Sequence, residues 1–378
     1  MPHSAADIEN PFPSVIGQEK IKQKLIRILD SSRLAHAYLF VGPQGTGRLA
    51  MALELARALN CSKENIIERL TACDCRQCRG VMGWNHPNLI PLFPLPPFEK
   101  DKGEAAHKAL QEMIETKRAD VYSALKLTGT GRILIDQIRE LRHKLALAAD
   151  RPGVRMILVQ PADRIREEAA NAFLKILEEP PGKCCIILIS ESTRDLLPTV
   201  LSRCQVIKFP PLDKDEIVQG LKTKFDLSLE EAFVISRLAS GNFTHAIALT
   251  EGNAAEILSE SLEFLRISVV GNALKIAGTV NTWSTWTERS QIDEKLSYAA
   301  MWIRDAVAWK SFGAENAPRH LTIKDSENAI ERMANRYTHL QLYHAWKEIE
   351  NTRLAIDANA SIPLTLTALA LRLNRTLR

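Results

Sequence analysis

AYLFVGPQGTGRLAMALELARAL, at residues 37–59 of this 378-residue chain, joins an apolar run, a glycine-rich loop and a helical pattern, and it indicates the fold class. The apolar run at residues 37–41 predicts a buried strand, and residues 49–59 carry apolar side chains at helical spacing. The glycines between them predict a phosphate-binding loop, whose successive backbone N–H groups curl around phosphate oxygens. Strand, glycine loop and helix in this order are the context that such a loop requires.

The loop lacks the side chains that an active phosphate loop uses for chemistry. Gly42, Gly45 and Gly47 keep its shape. Arg48 stands where the lysine of G-x-x-x-x-G-K-[ST] reaches the terminal phosphates. Leu49 stands where a hydroxyl holds Mg²⁺, and leucine cannot ligate a cation that requires oxygen ligands. We expect the architecture of an ATPase without its own ATP turnover, and ATP binding at this loop stays undecided.

The composition is that of an ordinary globular protein of two or three domains. Hydrophobic residues make up 46% of the chain, charged residues 25%, and the net charge is +4. So small a basic excess does not favour strong nucleic-acid binding by this chain alone. No signal peptide and no apolar run of membrane-spanning length is visible, which predicts a cytoplasmic protein without membrane contact.

Apolar periodicity divides the chain into regions of different class. Alternating strands and helices predict an α/β domain with a parallel sheet over residues 1–212. Helical patterns alone predict a small helical lid at residues 213–255 and an all-α domain at residues 256–378. Prolines followed by charged residues at 91–125 indicate a long surface excursion. Further strands are predicted at residues 132–135, 155–159, 185–190 and 205–209, and further helices at residues 18–29, 137–148 and 167–179.

Four cysteines, Cys61, Cys73, Cys75 and Cys78, lie close together after the loop helix. In a cytoplasmic chain such residues indicate a metal site or free thiols before disulfides. Four thiolates satisfy tetrahedral Zn²⁺, which would be structural, and Cys75 and Cys78 have the spacing of a zinc knuckle. The interval between Cys73 and Cys75 is unusually short, so His86 is an alternative ligand to Cys73. Four free thiols in a surface loop are the alternative to a zinc module at about 61–86.

The strand at residues 155–159 is not followed by the two carboxylates that an ATPase needs there. One such carboxylate helps to hold Mg²⁺ and the other polarises the attacking water. Gln160 and Pro161 occupy these positions, and neither supplies an acid or a base. If the strand ended later, Asp163 would be the metal carboxylate instead. This loss is independent of the one at Leu49, and together they predict an idle site.

Segments along most of the chain resemble the delta-prime subunits of bacterial DNA polymerase III clamp loaders, which belong to the AAA+ clamp-loader family. The most specific are NAFLKILEEPP at residues 171–181 and Ser202-Arg203-Cys204. The others include HAYLF at residues 36–40, the glycine loop, the cysteine group, IDQIR at residues 135–139 and DANA at residues 357–360.

The resemblance implies an AAA+ fold with a RecA-like sheet domain, a zinc module, a small lid and a helical collar for oligomerisation. It implies a non-motor subunit in a hetero-pentameric ring with the motor subunits and the delta subunit, within the DNA polymerase III holoenzyme. The ring would load the sliding clamp on primed DNA, which the chain meets through the complex. Arg203 would be an arginine finger acting in trans on ATP bound by a neighbouring subunit, because its planar fork pairs bidentately with phosphate.

Three other functions remain open from the sequence. The motor subunit of the same complex shares the zinc module and the Ser-Arg-Cys triplet, but it keeps the loop lysine and hydroxyl. A weak ATPase would use Arg48 in place of lysine. A free-standing nucleic-acid or zinc adaptor is disfavoured by the weak charge and the lack of interleaved aromatic and basic residues.

In the lid, His245 stands where an active ATPase of this kind places a phosphate-sensing arginine, which is a third indication of an idle site.

Overall fold

The computed structural model describes residues 10–31, 33–95, 103–124, 131–146, 152–194, 196–251, 254–286, 289–323, 326–358 and 360–378. Its contacts divide the chain into two compact units, Met1–Ala248 and Leu249–Arg378. Most of the region predicted as a lid therefore belongs to the same unit as the sheet, while the division into three domains stays a prediction. Among the described residues, no helix combines the length and the hydrophobicity needed to cross a bilayer.

In the described residues of the first unit, a five-stranded sheet with the order β2-β3-β4-β1-β5 forms the centre. All neighbouring strands in it are parallel. Buried parallel strands are typically apolar along their whole length, and β1 and β4 are buried at every position. Because parallel strands end at one edge, the segments after β1, β3 and β4 meet there. The strands are β1 (Ala37–Val41), β2 (Leu89–Leu92), β3 (Arg155–Val159), β4 (Cys184–Ser190) and β5 (Gln205–Lys208).

Helices cover the sheet, and α2, which follows the glycine loop, is buried along almost its whole length. Ile138 and Leu141 of α6 and Phe173 of α7 lie in one apolar core with the strands. The helices that begin in this unit are α1 (Glu19–Asp30), α2 (Arg48–Asn60), α3 (Ile66–Leu70), α4 (Arg76–Met82), α5 (Gly103–Ala119), α6 (Ile135–Ala146), α7 (Glu167–Glu178), α8 (Pro198–Leu201), α9 (Lys214–Lys224), α10 (Leu229–Leu238) and α11 (Phe243–Glu251).

The second unit consists of helices joined by turns throughout its described residues. Its core includes the stacked rings of Phe264 and Trp283, whose centroids are 4.9 Å apart. The longest helix contains a non-helical residue, Gly313, at φ 73°. The helices are α12 (Ala254–Val270), α13 (Ala273–Trp286), α14 (Arg289–Asn316), α15 (Glu327–Arg336), α16 (His339–Asp357) and α17 (Ile362–Thr376). The predicted fold class, a parallel α/β sheet domain followed by helical regions, is confirmed.

Two local predictions about strands are wrong. Residues 132–135 do not form a strand: Arg132 and Ile133 make only isolated bridges, and α6 already begins at Ile135. The predicted surface excursion includes Pro91, which instead lies within β2. Proline is tolerated there because β2 is an edge strand, where a missing N–H donor breaks no ladder on the outer side. Residues 96–102 and 125 of the excursion lie outside the described residues.

Candidate nucleotide cleft and metal centre

The glycine loop connects β1 to α2, as its sequence predicts. Gly45 and Gly47 have φ values of 72° and 86°, a left-handed conformation that glycine adopts readily. The hydroxyl of Thr46 donates to the carbonyl oxygen of Pro43 at 2.8 Å and closes the turn. Gly47 is the N-cap residue of α2, and no side chain there bonds the first N–H groups of the helix. These N–H groups lie at a cleft, as in anion-binding sites.

Arg48 is turned into the protein rather than toward solvent. The residue is only 7% exposed, and its Nη1 donates to the backbone oxygen of Ser190 at the end of β4. Burial lowers the pKa of Arg48, and the carboxylates of Glu191 and Asp163 oppose that shift. Groups of the same chain therefore hold the Arg48 guanidinium. In an active loop, the lysine at this position would reach the phosphates.

The side chains predicted to replace the catalytic groups line the same cleft, namely Leu49, Gln160 and Pro161. β3 ends at Val159, as predicted, which puts Gln160 and Pro161 at the positions after the strand. The alternative metal carboxylate, Asp163, is not among the lining residues. Its Oδ1 accepts a hydrogen bond from the Ser190 hydroxyl at 3.2 Å. Glu191 does add a carboxylate to the lining, but it follows β4 rather than β3.

Residues that the sequence analysis did not single out close the cleft. Lys117 and Tyr122 come from α5 and the turn after it, and Thr244 comes from α11. The Tyr122 hydroxyl accepts from the backbone N–H of Ile16 at 2.9 Å, and the Thr244 hydroxyl donates to the carbonyl of Tyr122 at 2.5 Å. These contacts join positions 106 and 122 residues apart, so no local sequence signal could have indicated them.

Lys117 is a buried cation inside this cleft. Its Nζ donates to the carbonyl oxygens of Val121 at 3.1 Å and Ser123 at 2.6 Å. Burial lowers the pKa of Lys117 to about 8, an effect that Asp120 opposes and Arg48 reinforces. The remaining cleft has a volume of about 140 Å³, below the roughly 300–1,000 Å³ of typical ligand pockets.

The region predicted as a lid contacts the glycine loop directly. The backbone N–H of Phe243 donates to the carbonyl of Gly45 at 3.1 Å. The backbone N–H of Gln18 donates to Glu216 Oε1 at 2.9 Å, which ties α9 to the segment before α1. The backbone N–H of His245 donates to Asn242 Oδ1 at 3.0 Å. The neighbouring residue, Thr244, lines the cleft.

The four predicted metal ligands come together in space. The sulfur atoms of Cys61, Cys73, Cys75 and Cys78 all lie within 4.8 Å of one another. A tetrahedral site with Zn–S bonds of about 2.3 Å places sulfurs about 3.8 Å apart, so this donor set fits zinc. Cys61 ends α2 and Cys75 caps α4, so packing of these two helices brings the sulfurs together.

The electrostatics of the cluster differ from one cysteine to the next. Burial alone would raise the pKa of Cys75, but hydrogen bonds from Ser62 and Cys78 lower it to about 5. Burial raises the pKa of Cys78. The alternative ligand His86 lies outside the cluster. Its Nε2 is 2.9 Å from Gln77 Oε1 and its Nδ1 accepts from the Asn88 N–H, so Cys73 is the fourth candidate ligand.

Arg203 lies outside the cleft of its own chain, just after α8. Its Nη2 is 2.5 Å from Glu178 Oε1, at the end of α7. Its Nη1 donates to the carbonyl of Thr199 at 2.9 Å. The side chain is still 34% exposed and can be reached from outside the chain.

The chain has a parallel sheet, a phosphate loop after the first strand and helices that close over that loop. These features define the nucleotide-binding α/β class. Within that class, the chain belongs to the family described as "DNA polymerase III, delta subunit", whose model matches residues 17–213, more than half of the chain. Membership makes it a relative of bacterial DNA polymerase III clamp-loader subunits.

Curated relatives carry the same kind of name. A DNA polymerase III subunit tau of Bacillus subtilis is 27% identical over 71% of this chain and 41% of its own length. A subunit delta' of the same organism is 27% identical over 62% of this chain and 60% of its own. A subunit delta' of Pseudomonas aeruginosa is 33% identical over 45% of this chain and 42% of its own length. The alignments thus span between 41% and 60% of these relatives.

The chain is also similar to a solved structure, that of a DNA polymerase III gamma subunit-related protein of Thermotoga maritima. It has 15% sequence identity and a TM-score of 0.43, and the match covers 94% of this chain and 99% of that one.

Proposed function

We propose that this protein is a non-motor, delta-prime-type subunit of a DNA polymerase III clamp loader. In this proposal it joins motor subunits and a delta subunit in a five-membered ring that loads the sliding clamp on primed DNA in the cytoplasm. It supplies Arg203 in trans to the ATP site of a neighbouring subunit. The observation that carries the proposal is a cleft of nucleotide-binding design whose catalytic positions hold Leu49, Gln160 and Pro161.

The chemistry of ATP hydrolysis explains why these residues favour an idle site. Phosphoryl transfer depends on Mg²⁺, on a positioned water and on charges that stabilise the transferred group. Leucine, glutamine and proline supply neither the metal carboxylate nor the base, and Arg48 is engaged with the Ser190 carbonyl. The same facts disfavour the two enzymatic alternatives, a motor subunit and a weak ATPase that uses Arg48.

The surroundings of Arg203 support a role toward another chain. It does not line the described cleft of its own chain. Its ion pair with Glu178 is partly exposed on both sides, and such pairs are worth about 0–1 kcal/mol. Releasing Arg203 therefore costs little compared with bidentate pairing to a γ-phosphate.

Two structural roles complete the proposal. Zn²⁺ bound by Cys61, Cys73, Cys75 and Cys78 would hold the end of α2 against α3 and α4, a structural rather than catalytic use of the metal. The helical second unit contains the whole region proposed as the collar, residues 256–378, while the lid is proposed at residues 213–255.

The test is a clamp loader reconstituted from wild-type motor subunits and Arg203→Ala. Hydrolysis at one site should fall by about 10³-fold, so total clamp-stimulated ATPase falls partially while clamp loading falls further. Arg203→Lys should rescue poorly, because a point charge lacks the bidentate fork. Arg139→Ala is the matched control, since Arg139 forms an exposed ion pair with Asp136. Unchanged hydrolysis and loading with Arg203→Ala would reduce this arginine to a surface ion-pair partner.

A second measurement addresses the chain alone. We expect the purified protein, free of motor subunits, to show no Mg²⁺-dependent ATP turnover above background. Turnover that Arg48→Ala abolishes would favour the weak ATPase instead.

A further inference from the structure

We propose that α5 and the turn after it, residues 103–124, are an internal occupant of the nucleotide cleft that holds the lid helices against the glycine loop without nucleotide. The lid helices are α9, α10 and α11. This inference concerns the isolated chain, so it stands or falls independently of the clamp-loader role proposed above.

The first support is the place that Tyr122 takes. Its side chain is 3% exposed and lies against the loop, since a Cβ added to Gly47 would sit 2.9 Å from the Tyr122 hydroxyl. The same hydroxyl accepts from the backbone N–H of Ile16. An aromatic side chain thus fills the space between the loop and the segment before α1.

The second support is that the same turn also binds the lid helices. The Tyr122 carbonyl accepts from the Thr244 hydroxyl, and the Tyr122 and Phe243 rings meet edge to face with centroids 5.1 Å apart. Lys224 of α9 forms an ion pair with Asp120 at 2.6 Å, and its Nζ lies 5.1 Å from the centre of the Tyr122 ring. One turn therefore contacts the loop on one side and two lid helices on the other.

The third support is the charge placed beside the loop. Lys117 lies close enough to Arg48 for the two cations to influence each other, and its Nζ donates to two carbonyls of its own turn. Two cations at a phosphate-binding loop are a charge pattern suited to an anion, but here backbone carbonyls satisfy both. With about 140 Å³ left, the cleft has little room for a triphosphate.

These contacts have a consequence for conformational control. A ligand shifts a conformational equilibrium only by its differential affinity for the two states. If loop and lid helices are already bridged by their own chain, nucleotide has little to add. The lid stays closed on the loop whether or not ATP is present.

Hydrogen exchange of the full-length chain tests this directly, with the Phe243 N–H bonded to Gly45 as the reporter. In the wild type, millimolar ATP or ADP with Mg²⁺ should leave exchange in residues 214–248 unchanged. Tyr122→Ala should speed exchange of the lid helices and the loop by about tenfold or more, because a buried aromatic is lost at the bridge. Lys108→Ala, an exposed position of the same helix, should change nothing.

Gentler variants keep the test decisive if Tyr122→Ala fails to fold. Tyr122→Phe removes only the hydroxyl acceptor of the Ile16 N–H, and Thr244→Val removes only the donor to the Tyr122 carbonyl. Each should loosen the lid helices by a few-fold while circular dichroism stays that of the wild type. Unchanged lid exchange in these variants would overturn the proposal. So would tight nucleotide binding by the wild type accompanied by new protection of the lid helices.

Discussion

Among single residues, the buried amine of Lys117 carries a defined pH dependence. Its pKa in the folded protein is about 8, against an ordinary value of 10.5. Between these values the unfolded chain holds a proton that the folded chain has released, so stability rises with pH across this interval. The slope is about 1.4 kcal/mol per pH unit at most. The neutral amine keeps two N–H donors, which match its two carbonyl partners.

The measurement is urea unfolding from pH 7.5 to 10.5. We expect the wild type to gain stability relative to Lys117→Met as the pH rises through this range. Lys108→Met, at an exposed position on the same helix, should follow the wild type. Parallel curves for the wild type and Lys117→Met would contradict the assignment of a buried, depressed lysine.

Gly45 leaves no room for any side chain at the contact between loop and lid. It has φ +72°, and a Cβ would lie 1.9 Å from Asn242 Oδ1 and 2.7 Å from the Phe243 nitrogen. We expect Gly45→Ala to destabilise the first unit by about 2 kcal/mol or more, since strain and a backbone clash add. Gly278→Ala is the matched control: Gly278 lies inside α13 with nothing within 4 Å, so alanine should stabilise by about 0.5–1 kcal/mol. Equal effects in chemical denaturation would refute the clash.

We expect the two short helices α3 and α4 to depend on the cysteine cluster for their stability. They have five and seven residues, too few for independent stability. We expect about one zinc per chain by elemental analysis of protein purified without chelator. Cys73→Ser should lose most of the metal, whereas His86→Ala should keep it, because the imidazole is bonded to Gln77 and Asn88 outside the cluster.

Chelation should then melt this module locally. Amides of α3 and α4 should exchange faster after metal removal, while those of β1 and β4 stay protected in the sheet core. Cys204→Ser is the control, since Cys204 lies apart from the four clustered sulfurs. Metal-free protein with unchanged exchange in α3 and α4 would show that the cluster is four free thiols.

Elements with strong local signals were predicted from the sequence with nearly correct ends. β1 and β3 match their predicted bounds, because each is a continuous apolar run beside a turn signal. β2 was missed because Pro91 is a strand breaker that only an edge position tolerates, and edge position is a property of the whole sheet. The loop glycines and the four cysteines were identified from spacing. Tyr122 was not, because its partners lie 106 and 122 positions away.

The proposed ring requires a surface on the second unit that other subunits cover. α16 and α17 pack against each other and still expose large apolar side chains. Leu354 is 66% exposed and Leu364 is 73% exposed. Single exposed apolar residues are common, but several on two neighbouring helices suit helix–helix association between subunits. They therefore provide a test of the collar.

We expect Leu354→Asp and Leu364→Asp to fold normally, because substitutions at exposed positions usually change stability by less than about 0.5 kcal/mol. Both should weaken co-purification with the motor subunits, since a carboxylate buried in an apolar interface lacks a partner. Leu229→Asp, at a 61% exposed position of α10 in the first unit, is the control and should have a smaller effect. If all three variants enter the complex as well as the wild type, residues 256–378 do not form the collar through these helices. The arginine finger would then require a different route of assembly.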